Sequence, residues 1–315
     1  MSTIRSTYNN EIGYTVVGDA PARSEDKPAL VLLNRSPRML RTEYIAALAD
    51  AGYGEIVSVE YKEHAYSVES LSSEFPGIRF VLLDDRIDVG THIAIAFSLI
   101  KADIVLVLWS TIAPPQGVER AIKRLKAETA VCVAPLLRTD RGETLPVQVV
   151  PALRRRSLRV LRIPVRGEDA RTLFPSDYVG LYHRTRFFEC GGFDRSIETP
   201  YWQLTDFGFR SYLWGYEIPI ASGFRASYRS LPEPVDETVK VGYARFYARN
   251  LAPRTTSEGL AVPPFAAIPF AIRSGLGLIR TARIFMDAGK WVVAHRDRFK
   301  MDARTLIERW SVEHD

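Results

Sequence analysis

Residues 104–108 read Ile-Val-Leu-Val-Leu, an unbroken aliphatic run too short for a helix of its own and rich in β-branched side chains. Such a run reads as a strand buried on both faces, the signature of a parallel sheet covered by helices on each side. It stops at Trp109-Ser110-Thr111, and Pro114-Pro115 turns the chain into a helical pattern beginning near Val118. Ligands of open α/β sheets sit beyond the carboxyl ends of such strands. Trp109, Ser110 and Thr111 therefore stand where chemistry is expected. None of the three is a carboxylate.

The rest of the chain fits this strand. Short apolar runs at 29–33, 55–59 and 78–83 alternate with helical spacing at 42–51, 67–75 and 90–100, which argues for βαβ units and an α/β fold with a mostly parallel sheet flanked by helices. Further elements are expected as a helix over 118–127, a strand over 131–136, a hairpin within 139–150 and a strand over 177–182. A helix over 206–214 follows. Arg154-Arg155-Arg156 to Arg166 alternates apolar and basic residues, the pattern of a solvated edge or loop. The chain divides into a polar leader or edge element (1–27), an α/β domain (28–232) and a helical C-terminal region (233–315). In that region 270–293 reads as one amphipathic helix, with Arg273, Arg280, Arg283 and Lys290 within an arc of roughly 100°. It is either packed on the domain with a wet basic face or attached to an anionic membrane surface.

Composition removes several classes of function. A net charge of +5 on 315 residues is too modest to argue for nucleic acid, and no nucleic-acid module is visible. Cys132 and Cys190 lack metal-ligand spacing, as do the lone His64 and His92. Sparse cysteine and a polar N-terminus lead us to expect a cytoplasmic protein without a signal peptide. The most apolar late window, 260–272, is only 13 residues long and carries three prolines, so no membrane span is expected.

Five segments in order carry a resemblance. They are Glu55–Glu60 (EIVSVE), Ile78–Ala96 with its spaced Gly90 and Ala94, Ile104–Pro115, His183–Asp194 (HRTRFFECGGFD) and Tyr243–Asn250 (YARFYARN). Together they resemble family-2 glycosyltransferases of the GT-A fold, notably bacterial enzymes that build surface polysaccharides. The resemblance implies a GT-A-like domain with a helical C-terminal extension. It also implies a nucleotide-diphosphate sugar (UDP- or dTDP-linked) as donor and a glycan or lipid-linked acceptor.

The family's active-site acids are not matched. An Asp that binds a divalent cation in those enzymes falls at Thr111, and no acid is left in the loop. A neutral hydroxyl is a poor ligand for Mg²⁺ or Mn²⁺, so neither metal nor other cofactor is expected. The family's acidic pair, which contains the general base, falls at Gln203 and Leu204. Only a two-residue shift makes Asp206 the base; otherwise Asp206 is a helix carboxylate. Asn34 either contacts a base or ribose or ends its strand in a turn. Glu60 either contacts the pyrimidine or is a surface residue. Trp109 either stacks on a base or sugar or fills space left by a lost ligand. His183, Arg184 and Arg186 either hold the diphosphate in place of a metal or are paired structurally. Two functions follow: metal-independent glycosyl transfer, peripheral to the membrane, or a catalytically inactive homologue that binds a protein partner.

Overall fold

Four strands, all parallel, form the centre of the molecule. They are β3 (Ala29–Leu33), β4 (Ile56–Tyr61), β5 (Ile78–Leu83) and β6 (Ile104–Trp109), in the order β5-β4-β3-β6. The computed structural model describes the chain apart from residues 1–2, 10, 20–26, 36–41, 65–67, 128, 155–156, 169, 233–235, 239–240, 257–258, 264 and 313–315. Every side chain of β3 is buried, as the continuous apolar pattern requires. Helices α1 (Thr42–Asp50), α2 (Val68–Glu74), α3 (Val89–Leu99) and α4 (Val118–Ala127) make the crossovers.

The sheet is extended at both edges to nine strands. On one side β1 (Thr3–Tyr8) and β2 (Ile12–Val17) form an antiparallel hairpin, and β2 pairs antiparallel with β5. The first residues thus contribute an edge element. On the other side β10 (Gly180–His183) lies antiparallel between β6 and β7 (Cys132–Arg138), and β11 (Ile220–Ser227) pairs parallel with β7. The expected hairpin within 139–150 is displaced. Thr139–Gly142 is a turn after β7, closed by a bridge between Arg138 and Thr144, and the hairpin itself is β8 (Gln148–Arg154) with β9 (Ser157–Ile163). Arg155 and Arg156, from the basic run, lie outside the described residues, as does Ser36-Pro37-Arg38 after β3.

Helices α5 (Arg184–Glu189) and α6 (Pro200–Leu213) follow β10, and α6 is buried along nearly its whole length. It begins six residues before the expected start, with Pro200 in its first turn. The C-terminal region runs through α7 (Val241–Phe246), a π-helical turn (Tyr247–Leu251) and a small hairpin of β12 (Arg254–Thr256) and β13 (Gly259–Ala261). The expected continuous helix over 270–293 is two helices, α8 (Ala267–Ser274) and α9 (Leu278–His295). Gly275, at φ +69°, adopts the left-handed conformation that ends α8, and an L side chain there would be strained. The last helix, α10 (Ala303–Val312), returns to the main core.

Candidate functional site

The carboxyl ends of β3, β4 and β6 bring together Asn34, Glu60 and Ser110, three of the residues expected there. Asn34 Nδ2 donates to Glu60 Oε2 at 2.9 Å, and Ser110 Oγ donates to Asn34 Oδ1 at 2.9 Å. Ser58 Oγ completes the relay by donating to Glu60 Oε1 at 2.9 Å. Ser110 N also donates to Leu33 O at 2.8 Å, which holds the end of β6 against β3. Glu60 is therefore not a surface carboxylate. Burial pushes its carboxyl up to about 7, although hydrogen bonds from Asn34 and Ser58 pull the other way.

Trp109 is only 4% exposed and is gripped from two sides. Its Nε1 donates to the backbone oxygen of Asp177 at 2.8 Å, and the Arg35 guanidinium lies over its ring, 3.8 Å from the centroid. Arg35 also pairs with Asp177 Oδ1, while Tyr228 Oη donates to Asp177 Oδ2 at 2.7 Å. Burial holds the Asp177 carboxyl above its usual range despite those two partners. Asp177 and Tyr178 both have positive φ, a conformation that costs about 1 kcal/mol or more for a side-chain-bearing residue. Sequence reasoning assigned no role to Arg35 or Asp177. The left-handed pair that aims Asp177 back at the end of β6 has no glycine to announce it.

The same loop is held from below by Gln203, the residue at the place of the resembled family's acidic pair. Gln203 Oε1 accepts from Tyr178 Oη at 2.8 Å and from Gly90 N at 3.1 Å. Its Nε2 donates to Asp88 Oδ1 at 2.6 Å and to Asp194 O at 3.0 Å. Asp88 caps α3 by accepting from Thr91 N at 3.0 Å. Glycine is required at position 90, because a Cβ there would lie 2.4 Å from Phe193 Cβ and 2.5 Å from Gln203 Oε1. Leu204 is core.

Other expected site residues stand elsewhere. Asp206 is 0% exposed; Arg210 Nη2 donates to one of its oxygens at 2.7 Å and Asn250 Nδ2 to the other at 2.7 Å. A base must reach an acceptor hydroxyl, and this carboxylate is enclosed. His183 pairs with Ile104 and Arg184 with Asp103, at the amino end of β6. They are roughly 17 Å from the Trp109 end by strand length. Arg184 Nε donates to Ala102 O and Arg186 Nη1 to Ala130 O, so both guanidiniums fasten backbone. β10 runs antiparallel to β6, so its carboxyl end lies at the opposite edge of the sheet. Thr111 follows the strand end, where its backbone oxygen accepts from Arg229 N at 2.7 Å and its Oγ1 is buried without a described partner. His92 is a core residue bonded to Tyr61 Oη at 3.2 Å, and burial lowers it to about 4.

The residues present do not fit a divalent cation. The loop after β6 offers hydroxyls, Asp177 is a lone carboxylate beside it, and the described residues hold no cluster of three or more His, Cys, Asp or Glu suited to a metal.

The parallel centre, with β10 inserted antiparallel between β6 and β7 and helices on both faces, is a GT-A-like glycosyltransferase fold. The chain is similar to the solved structure of GalNAc-T7 with UDP, GalNAc and Mn²⁺, at 14% identity and a TM-score of 0.50, over 86% of this chain and 57% of that one. It is also similar to S. aureus TarS (12% identity, TM-score 0.48, 83% of this chain and 43% of that one) and to TarS 1–349 in complex with UDP-GlcNAc (11%, 0.48, 83% and 71%). The chain thus spans about half the length of the first two. No protein-family model matches the sequence, and no curated protein does.

Proposed function

We propose that the chain binds a uridine- or thymidine-diphospho-sugar at the carboxyl ends of β3, β4 and β6. In this reading it transfers the sugar to a glycan or lipid-linked acceptor in cell-surface polysaccharide synthesis, on the cytoplasmic side and without a metal. The observation that carries the reading is the relay Ser58–Glu60–Asn34–Ser110 across three parallel strand ends. A uracil or thymine ring presents an N–H between two carbonyls, and Glu60 with Asn34 offers the matching acceptor and donor.

Arg35 supplies the positive charge for the diphosphate, which guanidinium can bind bidentately. Drawing Arg35 onto phosphate releases Asp177, whose proton affinity is already raised by burial. Asp177 then takes the proton of the acceptor hydroxyl as its oxygen bonds to the sugar's anomeric carbon. The bond from that carbon to phosphate breaks, and its electron pair leaves on the diphosphate, stabilised by Arg35.

The test is thermal stability with UDP, dTDP and GDP, each with and without Mn²⁺. A metal-independent shift with UDP or dTDP is expected, since a ligand at 100 times its Kd stabilises by about 2.7 kcal/mol. Transfer from the matching nucleotide sugar should then fall by roughly 100-fold in Asp177→Asn with donor affinity kept. A flat panel overturns the proposal. A second reading, a binding or scaffolding protein without catalysis, is favoured by the enclosure of Asp206 and the presence of Gln203 and Leu204 where acids are expected. Donor binding without turnover would select it.

A further inference from the structure

Of the eleven large hydrophobic side chains exposed among the described residues, seven fall between Phe265 and Val293. Six of them lie on α8 and α9, in a pattern that the packing of those helices does not use. Around α9, the buried residues Thr281, Phe285, Ala288 and Val292 occupy an arc of roughly 60°. Beside it, Leu278, Ile279, Met286 and Val293 occupy an exposed arc of roughly 100°. Lys290, Arg283 and Arg280 then occupy the next 80° or so, with Asp287 among them. The exposed apolar stripe is therefore distinct from the core-facing one, and it has a basic border.

The stripe continues across the bend at Gly275. Ile268 and Ile272, one turn apart on α8, are both exposed, Ile272 to 76%, and Ile279 on α9 is 89% exposed. On the basic side a groove of about 390 Å³ opens between α7, the π-helical turn and α9. Arg245, Arg249, Arg280 and Arg283 line it, with Asp287 as its acid. At the groove floor Arg245 donates to Ser196 O at 2.5 Å, and Arg249 pairs with Asp194. No described helix is long and apolar enough to cross a membrane.

We propose that the α8–α9 elbow is a docking surface for an anionic lipid bilayer. The stripe lies in the interfacial plane with Ile272, Ile279 and Met286 inserted at the acyl boundary, and the arginine groove receives headgroup phosphates. Charge complementarity selects this occupant over a neutral apolar partner: Lys290, Arg280 and Arg283 border the stripe, and Arg245 and Arg249 join those two arginines in the groove.

The test is co-sedimentation of the full chain with phosphatidylcholine vesicles, with and without 30% phosphatidylglycerol, at about 50 and 300 mM salt. Binding to the anionic vesicles is expected, weakening by several-fold at the higher salt. Ile272→Asn with Ile279→Asn should reduce it about tenfold or more while leaving the thermal midpoint in place, because both side chains are solvent-exposed. Arg280→Glu and Arg283→Glu should each weaken anionic binding by roughly fivefold or more. Equal partition onto neutral and anionic vesicles, or indifference to the isoleucine pair, overturns the proposal. So does a shift with inorganic pyrophosphate that needs Arg280 while vesicles are ignored, which makes the groove a soluble-anion site. Self-association abolished by Ile279→Asn without vesicle binding overturns it too. None of these measurements uses a nucleotide, so failure of the donor-site reading leaves the outcome interpretable.

Discussion

Glu60 carries the clearest pH signature in the molecule. Its folded carboxyl titrates at about 7, above the ordinary 4.5 that applies once the chain unfolds. Between those values the folded state holds more protons, so stability is greatest below about pH 4.5 and falls as pH rises toward 7. Glu60→Gln removes this slope, and relative to wild type it should gain up to roughly 3 kcal/mol by pH 8. Parallel melting curves for the two proteins from pH 5 to 8 would refute the assignment. Donor binding reverses the dependence. An ionised carboxylate is the stronger acceptor for a pyrimidine N–H, so UDP affinity should tighten by up to roughly tenfold from pH 6 to 8 in wild type and stay flat in Glu60→Gln. Gln203 makes a different prediction. Gln203→Glu restores an acid at the place of the resembled family's catalytic pair, yet here it sets two carboxylates together, because Nε2 now donates to Asp88 Oδ1. The expected result is a loss of about 2–4 kcal/mol in urea unfolding and no gain in transfer.

Between elements, α6 acts as a tie rod. Arg210 donates to Gly192 O at 2.8 Å and pairs with Asp206, which in turn accepts from Asn250 on the π-helical turn. Asp206→Ala leaves the Arg210 guanidinium buried without its counter-charge, so it should cost about 3–5 kcal/mol. Donor affinity of the folded fraction should be unchanged; a loss of turnover with full stability would instead make Asp206 the base. This arrangement marks how far the sequence could be read. Strands expected at 29–33, 78–83 and 104–108 and the helix at 118–127 match their observed bounds to within a residue, because short β-branched apolar runs between turn residues mark two-face-buried strands and a polar–apolar helical period marks the helix. The meeting of Asn34, Glu60 and Ser110 at one edge is legible too, since strand ends in a parallel sheet share that edge. His183 and Arg184 were misplaced because local pattern does not reveal strand direction. Arg35 and Asp177 were missed because they meet across 142 residues. The single amphipathic helix failed at Gly275, where periodicity survives a break that backbone conformation imposes.

Across the whole molecule, the C-terminal region does not behave as one unit. Ala303, Leu306, Ile307 and Trp310 of α10 belong to the main core, with the Trp310 ring 4.7 Å from that of Tyr212 on α6. α8 and the first half of α9 instead rest on a satellite core of Phe270, Phe285 and small alanines, whereas Trp291 and His295 near the end of α9 stack on Trp214 of the main core. Deleting residues 303–315 removes three large buried side chains, each worth about 2–5 kcal/mol when truncated. That sum is comparable with the entire stability of a typical domain, so the shortened protein should fail to fold cooperatively. Opening α8 and the first half of α9 exposes far less apolar surface, because four of the six satellite residues are alanines. Native-state hydrogen exchange should therefore show α8 and the first half of α9 exchanging through a low-energy local opening, while α10 exchanges only with the central strands. If α10 opened together with α9, ahead of β3 and β6, the C-terminal region would be a domain of its own. If both helices exchanged only by global unfolding, the satellite core would be part of the main one.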